Sequence, residues 1–153
     1  MLLGQLLKSV NKNHQKIDVR GISFDSREIK KNYIFFAITG NETSGTKFIY
    51  QAILKGASAV IVNKKKGYKN SKIPIILVKD VRKSLSEACS NFYKKKPKNI
   101  IAVTGTNGKS SVVNFFYQIL KLNKIPVASI GTLGIHSQKY KKKTNLTTID
   151  PIS

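Results

Sequence analysis

The sequence predicts an α/β protein in two parts: a small amino-terminal α/β domain, then the start of a second, incomplete α/β domain. Three observations predict this. Short runs rich in Ile, Val, Phe and Tyr alternate with segments of helical apolar spacing, the pattern of strands separated by helices. A basic, proline-containing stretch, Lys94-Lys95-Lys96-Pro97-Lys98, interrupts the alternation. Directly after it, a glycine-punctuated turn stands between an apolar run and an amphipathic one.

The elements follow in order. Leu2, Leu3, Leu6, Leu7 and Val10 fall on one face of a short amphipathic helix. Gly21–Phe24 is a short strand, and Asp25-Ser26-Arg27 a polar turn. Tyr33–Ile38, aromatic and branched throughout, is the strongest strand. Thr39–Thr46 is a loop holding Gly40 and Gly45. Phe48, Ala52 and Ile53 give a helix to Lys55, stopped by Gly56 as its C-cap. Ala59–Val62 and Pro74–Val78 are strands separated by a basic loop, Lys64–Lys72. Asp80 is an N-cap for a helix running through Leu85 to Tyr93. The break at Lys94–Lys98 divides the chain into 1–95 and 96–153.

In the second part, Ile100–Val103, closed by Thr104, reads as a buried strand. The turn Gly105-Thr106-Asn107-Gly108-Lys109-Ser110 follows, and a helix begins at Ser111. Pro126–Ile130 is a second buried strand, which makes a βαβ unit. Gly131-Thr132-Leu133-Gly134-Ile135 turns into a further strand, and Lys139–Lys143 is a basic loop. A nucleotide-binding domain normally needs more strands and helices than these to cover its sheet. The chain therefore reads as the front of a longer protein.

Strand, Gly-Lys-Ser turn and helix form an arrangement that grips a nucleoside triphosphate. Glycines let the backbone curl so that several N–H groups face phosphate oxygens, and the helix adds the positive end of its dipole. Lys109 reaches the terminal phosphates, and the Ser110 hydroxyl suits magnesium. The full spacing G-x-x-x-x-G-K-[ST] is not met, because Val103 stands at its first glycine. The alternative is a strand-to-helix turn with a solvated lysine.

Composition limits the rest. At 153 residues, 41% of them hydrophobic, the chain can bury an ordinary core. No run approaches the ~18 apolar residues of a membrane span. The first residues lack the long apolar stretch and cleavage site of a secretory leader. The single cysteine, Cys89, excludes a disulfide within the chain and sits in a helical pattern as a small core residue. His14 and His136 have no metal-ligand spacing. These features fit a cytoplasmic protein.

The net charge of +21 suggests a polyanion partner, but only three of the 28 basic residues are Arg: Arg20, Arg27 and Arg82. A dedicated reader of phosphates or bases would favour the planar fork of Arg. The lysine triplets at 64–66, 94–96 and 141–143 read as solvated turns and linkers. No specific nucleic acid and no membrane is expected as a partner.

Two ordered blocks carry a resemblance. The first is Gly21-Ile22-Ser23-Phe24-Asp25-Ser26-Arg27, then Tyr33–Gly40, Gly45-Thr46-Lys47-Phe48-Ile49, Ala52-Ile53, Gly56-Ala57 and Ala59–Val62. The second is Val103–Ser111, with Gly131-Thr132 and Thr147-Thr148-Ile149-Asp150-Pro151 after it. In both, the chain resembles the amino-terminal part of the Mur ligases, which build the peptide of bacterial cell-wall precursors. The Gly-Thr-Asn-Gly-Lys loop and the Thr-Thr-x-Asp-Pro segment favour the member that adds the third residue, diaminopimelate or lysine. The member that adds D-Ala-D-Ala shares the Asp-Ser-Arg block and is the competitor.

The resemblance implies a UDP-binding first domain and the start of a P-loop, Mur-type central ATP-binding domain. ATP and magnesium would be cofactors. The substrates would be a UDP-N-acetylmuramoyl-dipeptide and an amino acid, and the protein a monomer. ATP phosphorylates a carboxylate in such enzymes, and an amine then attacks the acyl phosphate. Phe24, Ser26 and the Asn41-Glu42-Thr43 loop would hold the UDP end, and Thr147 and Thr148 the muramoyl-peptide part. Gly105, Thr106, Asn107, Gly108, Lys109, Ser110 and Ser111 would hold ATP. Lys109 would stabilise the transferred phosphoryl group, and Ser110 would hold the metal. Read without the family, Asp25 and Ser26 shape a turn. Two positions depart from the family pattern. Ser44 precedes Gly45 where Asp is usual, and Ile149 stands where proline is usual. The remaining metal ligands and the amino-acid-binding third domain of the family are not within these residues, so the chain alone is expected not to ligate.

Overall fold

The computed structural model describes residues 1–40, 44–64, 71–143 and 152. The chain divides into two compact units, one from Met1 to Lys96 and one starting at Pro97.

The first unit is built on a four-stranded, wholly parallel sheet. Its strands are β1 (Gly21–Ser23), β2 (Tyr33–Phe36), β3 (Ala57–Val62) and β4 (Ile75–Leu77), adjacent in space in their sequence order. Parallel strands are covered on both faces, so each is a nearly unbroken apolar run. Alternate residues divide between two cores. Ile34, Phe36, Ala59 and Ile61 face one way, with Leu3 and Leu6 of α1 (Leu3–Leu6) and with Val81, Leu85 and Ala88 of α3 (Val81–Phe92). Phe35, Ala37, Val60 and Val62 face the other way, against Ile49 and Ala52 of α2 (Ile49–Leu54). The register slips once, where Tyr33 pairs with Ala57 but Ile34 with Ala59. The extra residue, Ser58, puts Ala57 and Val60 into the same core.

Local chemistry sets the ends of the helices. The Asp80 carboxylate accepts the Lys83 amide at 3.0 Å, as an N-cap should. Gly56 ends α2 in a left-handed conformation, φ +95°, with Cα of Lys31 only 3.1 Å from where a Cβ would stand. The amino-terminal helix is shorter than its leucine spacing suggests. It stops at Leu6 because Leu7 is extended, although Leu7 and Val10 are buried all the same. The Thr39–Thr46 loop tightens early, since a 3₁₀ turn begins at Gly45.

The second unit differs from expectation in three respects. Ile100–Thr104 is not a strand, and Ile100 is 80% exposed. A strand exists only through its ladder, and no other described segment pairs with this one. The helix, α4 (Lys109–Leu122), begins two residues before Ser111. Finally, β5 (Ala128–Gly131) is not a buried parallel strand. It is antiparallel to β6 (Gly134–Ser137), which pairs in turn with β7 (Lys141–Lys142). The Gly131–Gly134 turn brings the chain straight back, so no βαβ crossover forms among the described residues, and the expected Lys139–Lys143 loop contributes a strand. Gly134 has φ +103°, and a Cβ there would collide with the Lys142 carbonyl oxygen.

Candidate functional site

The turn after β1 is tied together by short-range polar contacts. Ser23 Oγ accepts the Asp25 amide at 3.0 Å. Asp25 Oδ1 accepts the Arg27 amide at 2.8 Å, while the Arg27 guanidinium donates through Nη2 to Oδ2 at 2.6 Å. Hydrogen bonding from Arg27 is the main reason the Asp25 carboxyl sits below its ordinary 3.8, and Asp25 in return raises the Arg27 guanidinium. Lys55 Nζ donates to the Arg27 carbonyl at 2.7 Å. Ser26 is buried, and its hydroxyl donates to Gln51 Oε1 at 2.7 Å. Phe24 is half-buried and packs on the first core.

Strands of a parallel sheet present their carboxyl ends to ligands. At the ends of β2, β3 and β4 lies a cavity of about 230 Å³ lined by Ile38, Thr39, Asn63, Lys79, Asp80, Val81 and Arg82. Asn63, Lys79 and Arg82 were not singled out from the sequence, nor was Gln51. The available signal for the first two was position, since each stands just past an apolar run. Asn41, Glu42 and Thr43 lie outside the described residues, as do Thr147 and Thr148. Thr39 and Ser44, which flank this loop in sequence, form an antiparallel bridge.

In the second unit, Gly105 (φ +145°) and Gly108 (φ +77°) hold the Gly105–Ser111 turn open. No atom lies within 4 Å of a Cβ built at Gly108, so glycine is required there by the backbone angle and not by crowding. Gly108 is the N-cap of α4 and offers no side chain to the free amides of the first turn, where no acidic residue stands. Such a helix start suits an anion. Lys109 Nζ folds back over the loop and donates to the carbonyls of Gly105 and Thr106, the latter at 2.9 Å. A phosphate there would offer that ammonium a stronger, charge-assisted partner. Thr106, Asn107, Ser110 and Ser111 are exposed.

The metal question turns on the donors present. Among the described residues no three His, Cys, Asp or Glu side chains group to hold an ion. Magnesium keeps several waters and leans on substrate phosphates, so one hydroxyl from Ser110 fits such a site. No described helix is long and apolar enough to cross a membrane.

Comparisons with known proteins agree on one family. Residues 18–93 match the model for the Mur ligase family, catalytic domain, and residues 103–153 match the Mur ligase middle domain. A UDP-N-acetylmuramoyl-L-alanyl-D-glutamate--2,6-diaminopimelate ligase of Rickettsia montanensis is 45% identical over 96% of this chain and 30% of its own length. The enzyme of that name from Brucella melitensis is 36% identical over 90% of this chain and 28% of its own. Among solved structures, a ligase of the same name superposes with a TM-score of 0.78 at 26% identity, over 99% of this chain and 31% of its own. A MurF ligase from Thermotoga maritima in complex with ADP gives 0.54 at 28% identity, over 68% of this chain and 24% of its own. The chain belongs to the Mur ligase family. It spans about 30% of the length of the curated relatives it matches.

Proposed function

We propose that the chain supplies the UDP-substrate domain, residues 1–95, and the start of the ATP-binding domain, residues 96–153, of a cytoplasmic, monomeric ligase. That ligase adds diaminopimelate to UDP-N-acetylmuramoyl-L-alanyl-D-glutamate. The observation that carries this reading is the Gly105–Ser111 turn, with two left-handed glycines and Lys109 at the head of a 14-residue helix. The diaminopimelate-adding relatives, collinear over almost the whole chain, support this residue over lysine and over the D-Ala-D-Ala reaction.

The roles follow from the chemistry. Backbone amides of Gly105–Gly108 and of the first turn of α4 would surround the ATP phosphates, with Thr106, Asn107 and Ser111 beside them. Lys109 would leave its two carbonyl partners and balance charge on the transferred phosphoryl group. Ser110 would hold magnesium, which when bound neutralises phosphate charge. Phe24 and Ser26, with Asn41–Thr43, would hold the UDP end, and Thr147 and Thr148 the muramoyl-peptide.

The second reading is that these residues bind a UDP-sugar without chemistry of their own. Calorimetry with UDP-N-acetylmuramoyl-L-alanyl-D-glutamate, and a coupled ADP-release assay with diaminopimelate and magnesium, separate the two. Binding without turnover is expected of the 153-residue chain. Turnover would refute its inability to act alone, and absence of binding would refute the substrate-domain assignment.

A further inference from the structure

Parallel strands in register end side by side. Phe36 of β2 pairs with Ile61 of β3, and Val62 of β3 with Leu77 of β4. Residues just past these pairs therefore converge: Ile38 and Thr39 after β2, Asn63 after β3, and Lys79 to Arg82 where β4 passes into α3. They line the cavity of about 230 Å³, to which the buried Val81 and half-buried Ile38 contribute apolar surface. Drug-sized ligands fill pockets of roughly 300 Å³ or more, so this one suits something smaller.

The charges of the cavity are not balanced among themselves. Lys79 and Arg82 bring two cations, and Asp80 the single carboxylate. None of the ion pairs among the described residues joins them. Asp80 turns instead to the helix, where its Oδ1 accepts the Lys83 amide. The Val81 and Arg82 amides, first in α3, have no carbonyl within the helix to accept them. Thr39 and Asn63 add a hydroxyl and a side-chain amide, both able to donate. Many lysines are scattered over this protein; Lys79 and Arg82 differ in lining one cavity together, beside further donors.

We infer that this cavity is a binding site for a single phosphate group, held between Lys79 and Arg82 at the start of α3. Arg82 supplies a planar fork that matches two phosphate oxygens, and Lys79 a point charge. Asp80 opposes the anion and so limits its affinity. Neither Phe24 nor Ser26, the residues read as contacts for the UDP end, lines the cavity. The phosphate site is therefore additional to that one and stands without it.

The test is titration of the 153-residue chain with inorganic phosphate at neutral pH, followed by amide nuclear magnetic resonance, with chloride at equal ionic strength as the control. Phosphate should shift the Val81, Arg82 and Asn63 resonances saturably, with half-saturation at about 1 mM, well within what so small a ligand can reach. Arg82→Gln should weaken binding about fivefold, near the most that an exposed ion pair gives. Asp80→Asn keeps a cap for α3 but removes the opposing charge, and should tighten binding about threefold. A merely structural role for Asp80 would not produce that gain. Equal shifts with chloride, no saturation by about 20 mM phosphate, or unchanged binding in Arg82→Gln would overturn the inference. So would weaker binding in Asp80→Asn at unchanged thermal stability. Adding UDP should move the Ser26 resonance and leave the phosphate shifts at Arg82 in place. Their loss would make the cavity the seat of the UDP phosphates, which overturns the inference and supports the UDP-domain reading. Absence of any UDP shift would overturn that reading and leave the phosphate site standing.

Discussion

The two units use the same apolar alphabet and bury it very differently. In the first, Phe35, Phe36, Ile34 and Ile61 are fully enclosed between helices. In the second, Phe115, Ile119 and Leu122 of α4 stand more than half exposed, and Tyr117 is the helix's only buried residue among those described. The contrast shows that an apolar run acquires a structure from its partners and not from its composition. Tyr33–Phe36 has two neighbouring strands, whereas Ile100–Val103 has none among the described residues.

Substitutions that probe this contrast rank by expected effect. Phe36→Ala removes a ring from a closed core and should lower the first unit's unfolding free energy by about 3–5 kcal/mol, read by urea denaturation. A loss below about 1 kcal/mol would mean that the core is looser than its burial indicates. Asp80→Ala removes the α3 cap and should lower stability by about 1 kcal/mol in the same experiment.

A smaller effect comes from pH. The Asp25 carboxyl is depressed in the folded turn, so its contribution is complete above its ordinary 3.8 and disappears as pH falls through the lower folded value. The pair with Arg27 is largely exposed on the Arg side, which holds this contribution under ~1 kcal/mol. Asp25→Asn should abolish that part of the acid dependence, measured as stability between neutral pH and pH 3. The smallest effect is expected for Phe115→Ala, within about 0.5 kcal/mol, because its ring is 62% exposed. A loss as large as that of Phe36→Ala would erase the distinction between the units.

What the sequence reveals follows the same division. The strands of the first unit are legible because burial on both faces demands unbroken apolar runs, as at Tyr33–Phe36 and Ala57–Val62. The Asp80 cap and the Gly56 stop are legible because each acts within four residues of itself. Ile100–Thr104 misleads because a strand's existence is decided by a remote partner. Pro126–Ile130 misleads because its apolar run does not encode whether the chain crosses over or turns back. At the site, the glycine turn and Lys109 are local and readable. The Ser26–Gln51 bond is not, since nothing in either residue's neighbourhood announces the other. Lys79 and Arg82 read only as surface charge until the fold brings the end of β4 and the first turn of α3 to one cavity.

The strand order of the first unit also has a consequence for synthesis. Each new strand of a β1-β2-β3-β4 sheet docks on the one made just before it, so the sheet can grow at one edge as the chain leaves the ribosome. The short α1 is the exception. Its leucines pack under α3, and the Leu6 carbonyl accepts Asn91 Nδ2 at 3.0 Å across 85 residues. Within this unit α1 is therefore made before the helix that covers it. During elongation its leucines form the greasy patch that a holdase would meet, until the final helix of the unit arrives to seal them.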